Sequence, residues 1–552
     1  MQTNPRRPAP ISPAFLPLAA LLMFVGCSSS VDHASYDSYS SISGAKPMAM
    51  APPPAPHLRA RMLAVEAEPE RRQLFARKRV AEDHNTETYD HIVENPFESA
   101  KSKPLSTFAA DVDTASYANV RRLINDGQKV PRGAARIEEM VNYFDYDYPQ
   151  PDGAAPVAID TEIASCPWAE GHQLARIGLR AKDIDDADRA RANLVFLLDV
   201  SGSMSSPNKL PLLQRSLKLL VDQLDPEDRI AIAVYAGASG VVLDPTPCSQ
   251  KAKILTALDA LKAGGSTNGG EGIELAYKLA QEGFIKGGIN RVILATDGDF
   301  NVGVTDQSEL VAMIEEKAKS GVFLSVLGYG MGNLKDSTLE KLANRGNGNY
   351  AYIDTLGEAR KVLVKEMGAT LNTVAKDVKI QVEFNPARVS HYRLIGYENR
   401  LLEAEDFNDD SKDAGELGAG HTVTALYEIV PVGVPFAANR GVDPLKYQTT
   451  ESVATAAGAS DELMTVKFRY KSPAGSSSKL VSLAVTDSDQ DFAAASDDFQ
   501  FAAAVAAFGM RLRQSKHLGD ASKKQILAWA RDGRGADPHG YRAEFLKLVS
   551  ES

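Results

Sequence analysis

Cysteine is scarce, with three in 552 residues, which excludes a small scaffold held together by disulfides. No pair of Cys-x-x-Cys motifs offers a zinc site either. Basic charge is in deficit: 61 Lys and Arg stand against 72 Asp and Glu, a formal charge of −11. A nucleic-acid partner would need a locally basic face; the sequence contains none, so no nucleic-acid partner is expected. The nine histidines are scattered and form no recognisable pair with a serine, which removes the usual base for a serine nucleophile. No internal repeat of fixed period occurs, so a solenoid or propeller is excluded. Apolar residues are plentiful: 44% hydrophobic with 24% charged is the balance of a chain able to bury two or three cores.

The first apolar run, Ala14 through Val25, follows Arg6 and Arg7 and stops at Phe24-Val25-Gly26-Cys27-Ser28. A positive start, a short apolar stretch and a small residue before a cleavage point make an export signal, and the run is too short to span a bilayer comfortably. Its end resembles a bacterial lipobox, which implies removal of residues 1–26 and lipidation of Cys27. A simple signal peptide or a single N-terminal anchor is the alternative. In such lipoproteins an Asp after the Cys retains the protein at the inner membrane, so Ser28 implies the periplasmic face of the outer membrane. Residues 27–94 read as a disordered tether, with Ser28 to Ser30 and Ala51-Pro52-Pro53-Pro54-Ala55-Pro56 burying little and staying extended.

Order is expected from Asn95. Within 95–190, Thr114 is placed to cap a helix carrying Tyr117, Val120 and Ile124, and Asn125-Asp126-Gly127 stops it. A second helix presents Ile137, Met140, Val141 and Phe144, and residues 157–163 and 174–179 alternate as strands. From 191 to 369, fully apolar strands alternate with helices, the pattern of a parallel, doubly wound sheet. Strands are expected at 194–198, 230–235, 241–243, 292–296 and 323–327, with helices at 209–224, 252–261, 271–280, 310–318 and 339–343. From 370 to 552, alternation such as Val378-Ile380-Val382-Phe384 and Val466-Phe468-Tyr470 predicts antiparallel strands with one wet face, and helical patterning returns from Phe499. The early strands are too few to stand alone and the late ones need partners. One β-sandwich built from both, with the α/β domain inserted between them and helical segments at both ends, is the expected architecture. A shift of the inserted domain's last helix would then change its angle to the sandwich.

The first parallel strand ends in Asp199-Val200-Ser201-Gly202-Ser203. This sets a carboxylate and two hydroxyls at alternate positions just outside the carboxyl end of a central strand, where open α/β sheets bind ligands. Two further loops at the same edge carry oxygen donors: Ser266-Thr267 in the Gly264 to Gly270 loop, and Asp297 in Thr296-Asp297-Gly298. Oxygen donors without sulfur or nitrogen suit Mg²⁺ or Mn²⁺ and not zinc. Each residue also has a plainer role: Ser201 and Ser203 as helix caps, Asp297 as a turn residue beside Gly298, Thr267 as loop filler. Rival ligand motifs fail on detail. Phosphate-loop spacing puts Gly270 where lysine is required, and Asp297-x-Asp299-x-Asn301 has Val302 in place of the calcium loop's glycine and lacks its final glutamate. Asp487-x-Asp489-x-Asp491 reads as a solvated turn.

Taken together, Asp199-x-Ser201-x-Ser203, Thr267 and Asp297 resemble the metal-ion-dependent adhesion site of a von Willebrand factor type A (VWA) domain. Phe108-Ala109-Ala110-Asp111-Val112-Asp113-Thr114-Ala115-Ser116-Tyr117 and Arg136-Ile137-Glu138-Glu139-Met140-Val141-Asn142-Tyr143-Phe144 resemble the N-terminal extension of bacterial VWA lipoproteins of the YfbK type. Ile380-Gln381-Val382-Glu383-Phe384-Asn385-Pro386 and Tyr392-Arg393-Leu394-Ile395-Gly396-Tyr397-Glu398-Asn399-Arg400 are similar to their C-terminal domain. The resemblance runs from about residue 95 to the C-terminus and implies a Rossmann-like VWA fold. It implies Ser201 and Ser203 as direct ligands of Mg²⁺, with Mn²⁺ or Ca²⁺ as alternatives, Thr267 as a state-dependent ligand, and Asp199 and Asp297 acting directly or through water. It further implies a non-enzymatic, envelope-anchored binding protein in which a partner protein's Asp or Glu takes the metal's open position. A metal-dependent hydrolase, with Asp299 as the one nameable base, and a structural protein with a vestigial site are the competing expectations. Pairing of Cys166 with Cys248 stays open: export permits a disulfide, but one precedes the VWA domain and the other lies inside it.

Overall fold

The computed structural model describes residues 86–153, 155–185, 189–236, 238–265, 269–298, 307–366, 371–412, 414–436, 460–473 and 475–552. The signal, Cys27 and most of the expected tether lie outside these residues. In chain order the N-terminal part supplies strands β1 (Glu98–Ser99), β2 (Leu105–Ala109), β3 (Val157–Ser165) and β4 (Gln173–Ala181). The middle part supplies β5 (Ala192–Asp199), β6 (Arg229–Ala236), β7 (Ala238–Pro247), β8 (Ile289–Thr296), β9 (Phe323–Tyr329) and β10 (Tyr350–Ile353). The C-terminal part supplies β11 (Thr373–Phe384), β12 (Val389–Ile395), β13 (Leu401–Leu402), β14 (Leu417–Gly418), β15 (Thr422–Pro431), β16 (Glu462–Lys471) and β17 (Ser478–Thr486).

The middle strands form one sheet in the order β10-β9-β8-β5-β6-β7. All neighbours are parallel except β7, which closes one edge antiparallel to β6. β5 is buried along its whole length because both faces of a parallel sheet are covered by crossover helices. Leu194, Phe196 and Leu198 pack with Leu213, Leu217 and Leu220 of the helix Leu210–Gln223. The alternate residues Val195 and Leu197 pack with Ile273, Ala276 and Tyr277 of the helix Gly269–Glu282. Ala115 and Ala118, from the helix Ala115–Asn125 of the N-terminal part, join that second layer.

The remaining strands form two antiparallel sheets, β1-β12-β15-β4-β3 and β13-β2-β11-β16-β17, with β14 paired to β11. β4 pairs with β15 from Gln173↔Ile429 to Arg180↔Thr422, and β2 pairs with β11 through Phe108↔Ile380. Strands from before and after the α/β domain therefore share both sheets, so that domain is inserted into the sandwich, as expected. The sheets meet over one core, with Phe108, Ile380, Val382, Phe384 and Val466 on one side and Ile177, Leu179, Tyr427 and Ile429 on the other. Phe384 stacks on Tyr392 across it at 3.9 Å.

The expected wet face is absent from β15, whose residues are buried from Val423 to Val430. A helical layer covers its outer side: the helices Ala115–Asn125, Ile137–Asn142, Asp497–Arg513, Lys523–Asp532 and Tyr541–Glu551 enclose Tyr117, Met140, Phe144, Leu426, Phe501, Phe508 and Phe545. The helix Asp497–Arg513 approaches closely at Gly509, where a Cβ would stand 2.8 Å from Ile137 Cγ1. β17, at the sandwich's outer edge, stays largely exposed.

Three other details differ from expectation. Residues ahead of Asn95 are placed against the α/β domain, where Thr86 and Thr88 donate backbone N–H bonds to Gly332 O at 2.7 Å and Leu334 O at 3.0 Å. Thr114 takes the N-cap position without a side-chain cap; the first turn is held instead by Glu139, which accepts from Ser116 N at 2.9 Å. β10 was not expected, and it extends the parallel sheet beyond β9. Cys166 and Cys248 are unpaired buried thiols in different cores. Among the described residues no helix is long and apolar enough to cross a membrane.

Candidate metal site

The site at the carboxyl edge of the parallel sheet is built by two strand ends and a loop between two helices. β5 finishes on Asp199, and the chain turns through a 3₁₀ segment, Gly202–Ser205, anchored by the fully buried Met204. The next loop is stitched to it by two backbone bonds, Gly264 N to Val200 O at 2.7 Å and Gly202 N to Gly265 O at 3.2 Å. β8 finishes on Thr296, and Asp297 follows. Gly298 then takes φ +101°, and a Cβ there would lie 2.7 Å from Leu334 Cα, so the turn that presents Asp297 requires glycine.

Asp199 is fully buried. Its Oδ1 accepts from Ser201 N at 2.9 Å and its Oδ2 from Thr296 Oγ1 at 3.2 Å. The hydroxyls of Ser201 and Ser203 lie 3.0 Å apart. Neither serves the plainer role of a helix cap: Ser201 makes no capping bond, and the long helix begins after Lys209. Asp297 is also fully buried; its carboxylate accepts from Lys209 Nζ at 2.8 Å and is further stabilised by hydrogen bonds from Asn333 and Ser203. Four of the five expected residues thus meet at one edge. Thr267 lies outside the described residues, as does Asp299.

The two carboxylates are tuned in opposite directions. Burial pushes Asp199 up to about 6, the charge of Asp297 adds to this, and hydrogen bonds from Ser201 and Thr296 oppose it. Burial also acts to raise Asp297, but the hydrogen bond and charge of Lys209, with Asn333 and Ser203, outweigh it and hold Asp297 below the usual carboxylate range. The donor set fits a hard divalent cation: two carboxylates and two hydroxyls, all oxygen, with no sulfur or imidazole among them. These residues would supply the charge balance and the neutral ligands of such an ion.

Two members of the site were not read from the sequence. Thr296 looks like an ordinary strand residue, yet its hydroxyl accepts from Gly298 N at 3.2 Å while donating to Asp199, tying the two acidic strand ends together. Lys209 looks like the start of a helix. The Asp487 turn matches its plain reading: Asp487 Oδ1 accepts from Asp489 N at 3.1 Å, and the segment is exposed.

Residues 193–365 match the family model described as von Willebrand factor type A domain. Residues 369–552 match that of "Uncharacterized protein YfbK, C-terminal", and residues 83–176 one described as von Willebrand factor. Over 471 residues the chain is 47% identical to "Uncharacterized protein YfbK" of Escherichia coli (strain K12), covering 84% of this chain and 80% of that one. The chain belongs to the YfbK family. The inserted α/β domain of this YfbK-family chain is its VWA domain, and Asp199, Ser201, Ser203 and Asp297 lie within it. A second relative, sll0103 of Synechocystis sp., is 29% identical over 184 residues, 33% of this chain and 43% of that one. Among solved structures, a von Willebrand factor type A protein from Catenulispora acidiphila aligns at 16% identity and a TM-score of 0.37, over 62% of the YfbK-family chain and 77% of its own. The ArnB paralog VWA2 from Sulfolobus acidocaldarius aligns at 14% identity and a TM-score of 0.36, over 72% and 97%.

Proposed function

We propose that this protein is a non-enzymatic binding protein of the cell envelope whose VWA domain takes a carboxylate of a partner protein through a divalent ion, Mg²⁺ first, held by Asp199, Ser201, Ser203 and Asp297 with Thr267. The observation that carries this reading is the convergence of two buried carboxylates and two adjacent hydroxyls on the carboxyl edge of the central strands. Two aspartates neutralise a divalent ion and the hydroxyls add no charge. Mg²⁺ demands six near-octahedral oxygen ligands and rarely takes all of them from protein, so a position is left for a ligand from outside. Among the described residues, the groups bonded to the two aspartates include Ser201, Ser203, Thr296, Lys209 and Asn333, which hold the carboxylates in place as ligands. Lipidation at Cys27 would hold the domain at the periplasmic face of the outer membrane.

The test is capture from a solubilised envelope extract by the full chain, with Mg²⁺ and with chelator, beside Asp199→Ala. A partner recovered with Mg²⁺ and lost in the other two conditions is the expected outcome. Equal recovery in all three overturns the metal bridge.

A further inference from the structure

Lys209 is built into the site. It sits at the N-cap of the helix Leu210–Gln223, where its carbonyl accepts from Leu213 N at 2.8 Å and its own N–H donates to Ser206 O at 2.9 Å. Its side chain is 8% exposed, which is unusual for lysine unless the charge is paired. The ammonium is held twice, by Asp297 Oδ2 at 2.8 Å and Asn333 Oδ1 at 3.2 Å. The stem runs across Gly330, which takes φ +74°, and a Cβ at that position would lie 2.3 Å from Lys209 Cε and 2.5 Å from Cγ. The glycine leaves the groove in which the lysine lies. A buried charge with two partners, in a groove kept clear for its stem, does not leave freely, because withdrawal would strip the ammonium of both Asp297 and Asn333.

Among the described residues two aspartates balance a divalent ion, so a resident ammonium leaves these groups, once loaded, with one positive charge in excess. Like charges in a partly buried site repel, and the same excess attracts an anion. We propose that Lys209 is a fixed third charge of the metal site: it stays on Asp297 when the ion is bound, weakens the hold on that ion, and makes the loaded site select an anionic outer ligand, a carboxylate, over a neutral one. This rests on the reading of Asp199 and Asp297 as a divalent-ion site and adds the residue that sets its preference.

The experiment titrates Mn²⁺ into the full chain, wild type, Lys209→Met and Lys209→Gln. Bound ion is read from the relaxation of water protons, and acetate is then added to displace the ion's water. Lys209→Met keeps the stem's shape, and Lys209→Gln keeps a hydrogen-bonding end should the Met variant fail to fold. Removing a unit charge from beside the ion should tighten Mn²⁺ by roughly tenfold, and acetate should compete for the open position several-fold less well. Equal or weaker Mn²⁺ binding in the variants, or unchanged acetate competition, overturns the role of Lys209 and leaves the metal site standing. Binding by the variants and none by wild type would mean that the lysine replaces the ion, which overturns both. No binding by any of the three overturns the metal site itself.

Discussion

Arg121 Nη2 and Glu358 Oε2 lie 2.8 Å apart, both buried, and join the N-terminal extension to the last helix of the VWA domain. Arg121 also donates to Asp354 and to Tyr143 Oη, and Tyr143 donates in turn to Glu358 Oε2 at 2.7 Å. The helix Leu356–Arg360 is thereby gripped from outside its own domain at its first turn, where Thr355 caps Glu358 N at 3.1 Å. Any shift of that helix has to carry Arg121 with it or break the pair, which gives the inserted domain a physical route to the sandwich and its helical layer.

Arg121→Met would leave Asp354 and Glu358 buried without their cation. Breaking a buried pair in this way costs about 3–5 kcal/mol, to be read as a lowered urea midpoint by circular dichroism. An unchanged midpoint would show that the two carboxylates find other partners.

A second buried network is expected to show in the pH dependence of stability. Glu139 is pushed up to about 7 by burial, with the Glu340 and Asp336 carboxylates adding to the shift and Arg136 opposing it; Asp113 belongs to the same cluster. A carboxyl whose folded pKa is raised binds its proton more tightly folded than unfolded. Its stabilising contribution is therefore present below about pH 4.5 and is lost as pH rises through about 7. The stability of wild type relative to Glu139→Gln should fall between pH 5 and pH 7.5, measured by urea unfolding of both proteins at each pH. Parallel curves would contradict the assignment.

Cys166 and Cys248 sit in the helical-layer core and the VWA core respectively. Burial pushes both thiols up, Cys248 to about 12. Without reductant, both should be silent to a thiol reagent in the folded protein and react together once it is unfolded. Failure of either to appear on unfolding would indicate a disulfide.

Much of this was readable from residue patterns, and the exceptions have physical causes. The run Leu194 to Leu198 announces a strand buried on both faces, and Asp199-x-Ser201-x-Ser203 announces the site, because each is contiguous. β10 escaped notice because Tyr350 to Ile353 is four residues long and follows Gly346 and Gly348, which read as loop. The wet face predicted for β15 failed because alternation shows which residues enter the sandwich core; it does not show that helices about seventy residues later cover the other side. Lys209 and Thr296 were missed for a different reason. Each is an ordinary residue for its own element, and its role comes from a partner nearly ninety or a hundred positions away.

The central claim is that Asp199, Ser201, Ser203 and Asp297 hold a divalent ion, and calorimetric titration of Mg²⁺ into the full chain tests it most directly. The account predicts one saturable Mg²⁺ site in wild type that is lost in Asp199→Ala and in the double variant Ser201→Ala, Ser203→Ala, with both variants still folded. Absence of Mg²⁺ binding in the wild-type chain, or binding unchanged in the two variants, would contradict it.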